Sequence, residues 1–406
     1  MIINIIECNY FFYMTYLYNI FNMSLVVSNR DIVEPLHSYY SLDIINNDTI
    51  GENPPVAISF TESRNNPFLA KPEDYYMSVV RFQIQTGASL PLFVPQVQLQ
   101  QTNPNLLIYS ITLTYKTYTQ QEFVQFIPDD LSQPLPNPPL DFQDLTSSYY
   151  FVSNYQNWIE MVNICFKTCF NNLNTQVVAG GDVLPTANPP FMEWDVYNLV
   201  GILDCDILGY ERSLVNPISI YMNSPMYNLF STFPAIVQSY TNVLNGKNVL
   251  LTIFNNNNTN ILNLPTYNVI QTYQEGSTIA MMNPISSIVF TTALLPIVPE
   301  NVAIPKVYNS DASIVNSGNN ANIANVISDF VVPISALNQY KPNIVYTPTS
   351  EYRLIIMTGN SPVSAIQISV FWKDNFAGLH PIFLNSGCSA SLKLMFRRKD
   401  YANITL

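Results

Sequence analysis

Few side chains in this sequence could act on a covalent bond. There are two histidines, His37 and His380, and five cysteines, Cys8, Cys165, Cys169, Cys205 and Cys388. A nucleophile needs an imidazole or other base beside it, and two histidines near opposite ends of the chain give little to build one from. Cys165 and Cys169 are four apart on a predicted helix and share a face. Without histidines to join them they make no zinc set and read as core-lining thiols. An odd number of scattered cysteines is no disulfide framework and points to a reducing compartment. The acidic residues Glu193, Asp195, Asp204 and Asp206 form one cluster. A carboxylate pair can serve glycoside hydrolysis, or calcium if about six to eight oxygens converge, but this spacing fits no calcium loop and reads as solvated strand ends. The glycine-rich nucleotide signatures, G-x-S-x-G and H-E-x-x-H are all missing. His380, before Pro381, reads as a packed loop residue. Sequons at Asn47, Asn257 and Asn403 would matter only on a secretory route, which nothing in the sequence supports. No cofactor or metal is expected.

Composition narrows the field further. The 406 residues are 48% hydrophobic, enough for one large or two ordinary cores, but only 11% are charged. Between residues 213 and 299 only Lys247 and Glu275 carry charge. The surface must then be made from Asn, Gln, Ser, Thr and Tyr, or be covered by other protein, since charge is depleted at the centres of interfaces. An A/T-rich genome would give the same load of Asn, Ile and Tyr. A net charge of −12 speaks against wrapping nucleic acid. The one basic cluster, Arg397-Arg398-Lys399, reads either as a solvated strand end or as a contact with an acidic neighbouring subunit or the packaged genome.

These residues need elements to hold them, and the pattern is mostly β. Residues 365–372 alternate Ile366, Ile368, Val370 and Trp372 against Ala365, Gln367, Ser369 and Phe371, so one face is wholly apolar. Residues 390–396 alternate likewise, and 352–357 form a third short run. Greasy faces of this kind need a second sheet. Further strands are predicted over 75–85, 106–115, 123–127, 196–205, 218–222, 248–254, 287–295 and 329–332. The segment 90–99 is broken by Pro91 and Pro95 into an edge strand or extended connection. One helix is expected over 155–173, with apolar residues at 3-4 spacing and Ser153 or Asn154 as cap. Residues 1–22 are aromatic and apolar without Lys or Arg. They match neither a signal peptide nor a convincing membrane span, and read as an extension upstream of the mature fold, with Met23 as a second possible start. Residues 25–72 read as irregular, with one strand-like piece at 56–60, and as an arm across a neighbour. The stiff 134–139 (PLPNPP) marks entry to a second module.

Read in order, the segments YYMSVVRFQIQT, LPLFVPQ, LLIYSITLTY, FVQFIPDD, SSYYFVSNYQNWIEMVNICFKTCF, PPFMEWDVYN, ISIYMNSPMYNLFSTFP and SSIVFTTALLPIVPE, with the ending SLKLMFRRKD, resemble the minor capsid (penton) proteins of virophages and polinton-like viruses, the Sputnik-like ones included. The likeness covers most of residues 75–400. Residues 1–22 and the Asn-rich 316–325 depart from it. The resemblance implies a single eight-stranded jelly roll (a β-sandwich) with an inserted β-rich domain carrying the amphipathic helix. Five copies would form a homopentamer at the fivefold vertices of an icosahedral capsid, beside trimeric double jelly-roll major capsid proteins. It implies a virion protein, assembled in the host cytoplasm or a giant-virus factory, with no sequence-specific nucleic acid and no membrane span. The expected division is an arm (1–71), jelly roll (72–128 and 285–406) and insertion (129–284). Residues expected at the subunit interface are Trp372, Phe376, His380, Arg397, Arg398 and Lys399. Two other readings stay open: a jelly-roll glycan-binding or receptor-attachment protein, and a hydrolase using the Glu193–Asp206 carboxylates.

Overall fold

The structure is a computed structural model that describes residues 36–47, 56–85, 90–128, 148–299, 307–308, 314–315, 325–332, 343–348, 353–375 and 377–399. The chain enters through β1 (His37–Ile45), β2 (Ser59–Ser63) and β3 (Tyr75–Gln85). It continues with β4 (Leu106–Tyr115), β5 (Tyr118–Gln125) and the helix α1 (Tyr155–Ala179). Seven short strands follow: β6 (Phe191–Asp195), β7 (Val200–Asp206), β8 (Ser219–Met222), β9 (Ala235–Val237), β10 (Val249–Leu251), β11 (Ile261–Asn263) and β12 (Asn268–Tyr273). The last group is β13 (Ile285–Thr292), β14 (Asn325–Phe330), β15 (Asn343–Tyr346), β16 (Ile355–Ile356), β17 (Ala365–Asp374), β18 (Leu379–Pro381) and β19 (Ser389–Arg398).

Strands from the two ends of the chain interleave in two sheets. One runs β1-β19-β3-β15, with β16 also on β3; the other runs β14-β13-β17-β18, with β2 also on β17. Since β19 occupies one edge of β3, β15 and β16 share the other edge in line. By the same logic β2 and β18 share one edge of β17. Eight strand positions are thus filled by ten strands. Alternation drives the stacking. Ile366, Ile368, Val370 and Trp372 face inward on β17, as do Leu392, Leu394 and Phe396 on β19. Phe82 of β3 meets Phe290 of β13 edge-on at 5.1 Å, which locks the layers together.

The middle of the chain builds a second pair of sheets, β9-β10-β8-β4-β5 and β11-β12-β7-β6, with α1 packed against both. Cys165 and Cys169 point their thiols at the carbonyls of Glu122 and Gln120 on β5, while Asn163 bonds both the N–H and C=O of Met192 on β6. Asn154 caps the helix by accepting from the Asn157 N–H at 2.9 Å. The helix outruns the expected Leu173, because Val177 continues the buried stripe. It ends where Gly181 takes φ +80°, a conformation that costs glycine little.

Two expectations change. The strand-like piece expected at 56–60 is present, its end in β2, which pairs with β17, but the described part of 25–72 holds a further strand: β1 pairs residue for residue with β19. The stretch His37–Ile45 is held as a strand by this distant partner rather than by its own pattern. The expected division also moves, because Leu106–Tyr115 does not join the terminal strands. It pairs with β5 and β8, so 106–125 belongs with the central sheets.

Candidate assembly surfaces

His380 and Trp372, expected at a subunit surface, lie inside the chain. β18 folds back on β17 so that His380 pairs with Trp372 across the ladder, the rings 4.3 Å apart. Both are buried. The His380 Nε2 sits 2.8 Å from the Asp374 Oδ2, and the other oxygen of Asp374 accepts from the Gly378 N–H at 2.7 Å. Phe151, from the connection that leads into α1, closes on the far side of Trp372. The His–Asp pair fixes the turn, and the Phe151–Trp372 contact ties this sheet to the connection that leads into α1. Phe376 is outside the described residues.

Of the basic triplet, the Lys399 side chain is engaged within the chain. Lys399 donates to the carbonyls of Glu73 (2.6 Å) and Met357 (3.1 Å) and lies over the Tyr76 ring. The backbone N–H of Arg398 continues the β19 ladder to the carbonyl of Leu36. Arg397 lies across from His37, whose pKa is pushed down by partial burial and by that positive charge. All three are half-exposed, so part of each remains on the surface.

The acidic cluster does not form a working pair. Asp206 is buried and bound by Thr186, Asn188 and the Leu208 N–H, where it caps a short helix. Asp195 is bound by the N–H groups of Tyr197 and Asn198 and by the Asn198 amide, which hold its carboxyl below the ordinary range. Asp204 is wholly buried; one oxygen accepts from Gln271 at 3.0 Å and the other has no partner among the described residues. Its burial, assisted by the nearby Glu193, raises its pKa to about 6. Among the described residues no group of three or more His, Cys, Asp or Glu could hold a metal. No described helix is long and apolar enough to cross a membrane.

The flanks of the terminal sandwich are the feature that local patterning did not reveal. On one flank, β14 closes one sheet while β15 and β16 close the other. Phe330 stacks on Tyr346 at 4.4 Å, Arg353 bonds Asp329 at 2.7 Å, and the Val298 N–H reaches the carbonyl of Ile356. This flank leaves Val298, Val331, Val345 and Ile356 exposed. The opposite flank is made by β1 and β2, where Tyr39 and Ile45 are exposed on β1, with Val56 and Phe383 exposed on the short pairing of Val56–Ala57 with Phe383–Leu384. Apart from the Val298 and Arg353 contacts, both flanks end in strands that pair on one side only among the described residues. Exposed apolar side chains along bare strand edges are what a protein hides by association.

Comparison with known proteins agrees with surfaces made for association. A family described as Sputnik minor capsid protein V18/19 matches residues 38–398. The chain belongs to this family. It is therefore a structural protein of a virion, a minor capsid protein and not an enzyme. Relatives in the Sputnik virophage include the uncharacterized protein V18, 34% identical over 39% of this chain and 96% of that protein. Structural protein V19 of the same virus is 29% identical over 47% of this chain and 86% of that protein. Among solved structures, a chain of the Sputnik virophage determined by cryo-EM at 3.5 Å superposes with a TM-score of 0.75 at 27% identity, over 91% of this chain and all of that one. The mavirus penton protein superposes with a TM-score of 0.58 over 90% of this chain and all of that one; at 15% identity it shares the fold. The minor capsid family and these neighbours give the terminal sandwich its name, a jelly roll.

Proposed function

We propose that five copies of this minor capsid protein close into the penton at each fivefold vertex of an icosahedral shell. The observation that carries the reading is the pair of unlike apolar flanks on one sandwich. A head-to-tail contact joins two different surfaces, and when its rotation closes, it makes a ring. The β14–β16 flank of one subunit would meet the β1–β2 flank of the next, and few charges need to be stripped of water there. In this arrangement His37–Gln85 and Ile285–Arg398 form the domain set in the shell, next to double jelly-roll major capsid trimers. Residues 90–284 form the domain that stands above it. Cys165, Cys169, Cys205 and Cys388 form no disulfide among the described residues, which fits assembly in a cytoplasmic factory.

The test is the mass of the purified chain in native mass spectrometry or sedimentation. The expected species is five times the 46.0 kDa of one chain. Val345→Asp together with Ile356→Asp, both on exposed positions, should leave the melting temperature near wild type and reduce the species to monomer. A wild-type chain that stays monomeric at high concentration, or an assembly indifferent to both substitutions, would overturn the proposal.

A further inference from the structure

The chain is electrically polar along its length. Residues 90–284 hold thirteen of the 28 Asp and Glu but only four of the 16 Lys and Arg. In the jelly roll, four cations gather at one end. Across the ladder β1-β19-β3, His37 faces Arg397, and Arg397 faces Tyr76. The other end of that ladder holds Ile45, Ser389 and Gln85, and there the chain leaves for the central sheets. The 11 residues of β3 therefore put about 33 Å between this junction and the end that carries Arg397, Arg398 and Lys399. Lys71 belongs to the same end, just before Glu73, whose carbonyl Lys399 bonds. Lys71 is exposed and the other three are half-buried; Glu73 and Asp74 are the acidic residues beside them. Neither Lys71 nor Arg397 has an ion pair among the described residues, and the Arg397 Nε is buried without an acceptor there.

We propose that this end of the jelly roll contacts the phosphate backbone of the nucleic acid enclosed by the shell, without regard to base sequence. The proposal rests on the reading above, in which the central domain stands above the shell, because that orientation turns the opposite end inward. The net charge of −12 does not oppose it. Charges are screened within about 8–10 Å in physiological salt, so the acids of the central domain, beyond the junction, are not felt at the far end. What an approaching polyanion meets there is the local excess of Lys71, Arg397, Arg398 and Lys399 over Glu73 and Asp74. Guanidinium groups pair with phosphate oxygens as a fork, and cations crowded together without enough carboxylates are relieved by a bound anion. A single end offers only a few contacts. Five copies around one axis present five such ends to one polymer, so weak contacts add.

The experiment titrates the full-length protein into labelled duplexes of about 30 base pairs, of two unrelated sequences, and reads fluorescence anisotropy between about 50 and 200 mM salt. Both duplexes should bind alike, and binding should weaken steeply with salt. Lys71→Gln with Arg397→Gln should weaken binding about tenfold and flatten the salt dependence. Arg212→Gln with Lys247→Gln removes the same charge from the central domain and should leave binding unchanged. The melting temperature and native mass of each variant are measured alongside. Absence of binding at the lowest salt, or equal weakening by the two double variants, would overturn the proposal. So would protein that ignores the duplexes but sediments with phosphatidylcholine vesicles containing phosphatidylserine, which would make this end a membrane contact. A fivefold mass without duplex binding would overturn it and leave the ring standing. A monomeric chain that binds through Lys71 and Arg397 would keep the basic end and overturn the ring.

Discussion

Asp204 offers a direct reading of how burial acts on this fold. Its carboxyl is wholly buried on β7, with one oxygen bonded by Gln271 and the other unpartnered among the described residues. Burial, then the charge of Glu193, raises its pKa from 3.8 to about 6 against the Gln271 bond. A raised carboxyl pKa means that the folded chain holds this proton more tightly than the unfolded chain. The penalty for ionising Asp204 is absent below about pH 4, grows between about pH 4 and 6, and is complete above that. At about 1.4 kcal/mol for each tenfold change it amounts to about 3 kcal/mol at neutral pH. Asp204→Asn keeps the oxygen that Gln271 bonds and removes the charge. The expected result is a variant of nearly wild-type stability at pH 4 that becomes more stable than wild type at pH 7.5, by about 3 kcal/mol. For a cooperative unit of this size, the corresponding rise in melting temperature is about 6–12 °C. The assay is thermal or urea unfolding of both chains at half-unit steps from pH 4 to 8. If the two stability curves run parallel over that range, or the variant is the weaker at pH 7.5, the burial argument is refuted.

Other substitutions probe other joints. Phe82→Ala removes the ring that meets both Phe290 and Phe330 between the layers of the jelly roll and should cost about 3–5 kcal/mol in denaturant unfolding, with loss of the fivefold species. Asn154→Ala should cost about 1 kcal/mol, read from the same measurement, because the Asn157 N–H at the start of α1 loses its acceptor. Thiol reagents applied to the native protein should label Cys388 ahead of Cys165, Cys169 and Cys205, as mapped by peptide mass. The last three are buried, and burial pushes the Cys169 thiol up to about 12.

Strands whose own residues alternate were legible; strands defined by a distant partner were not. Tyr75–Gln85 and Leu106–Tyr115 were bounded correctly from β-branched and aromatic runs, and the start of α1 from Asn154 and its apolar stripe. His37–Ile45 was missed, since the serines and Asp43 among its tyrosines and isoleucines blur the apolar face that Tyr40, Leu42 and Ile44 turn inward. The same cause misplaced the domain boundary. Nothing in LLIYSITLTY says that its neighbour is Ser219–Met222 rather than a terminal strand; only the register does. The interface expectation failed at Trp372 and His380 for a related reason. An aromatic and a histidine near a turn suit a surface or a core equally well, until Asp374 draws the histidine inward. The flanks follow from topology in the same way. Strands from residues 37–85 and 285–398 close against one another across the sandwich, so each sheet stops abruptly at both sides, and Val345, Ile356, Tyr39 and Ile45 are left at the stops. A lone chain would guard such edges with charge. With only 11% charged residues, this chain has little charge to spend on them, and scarce charge and bare edges together suit a surface that is buried by assembly.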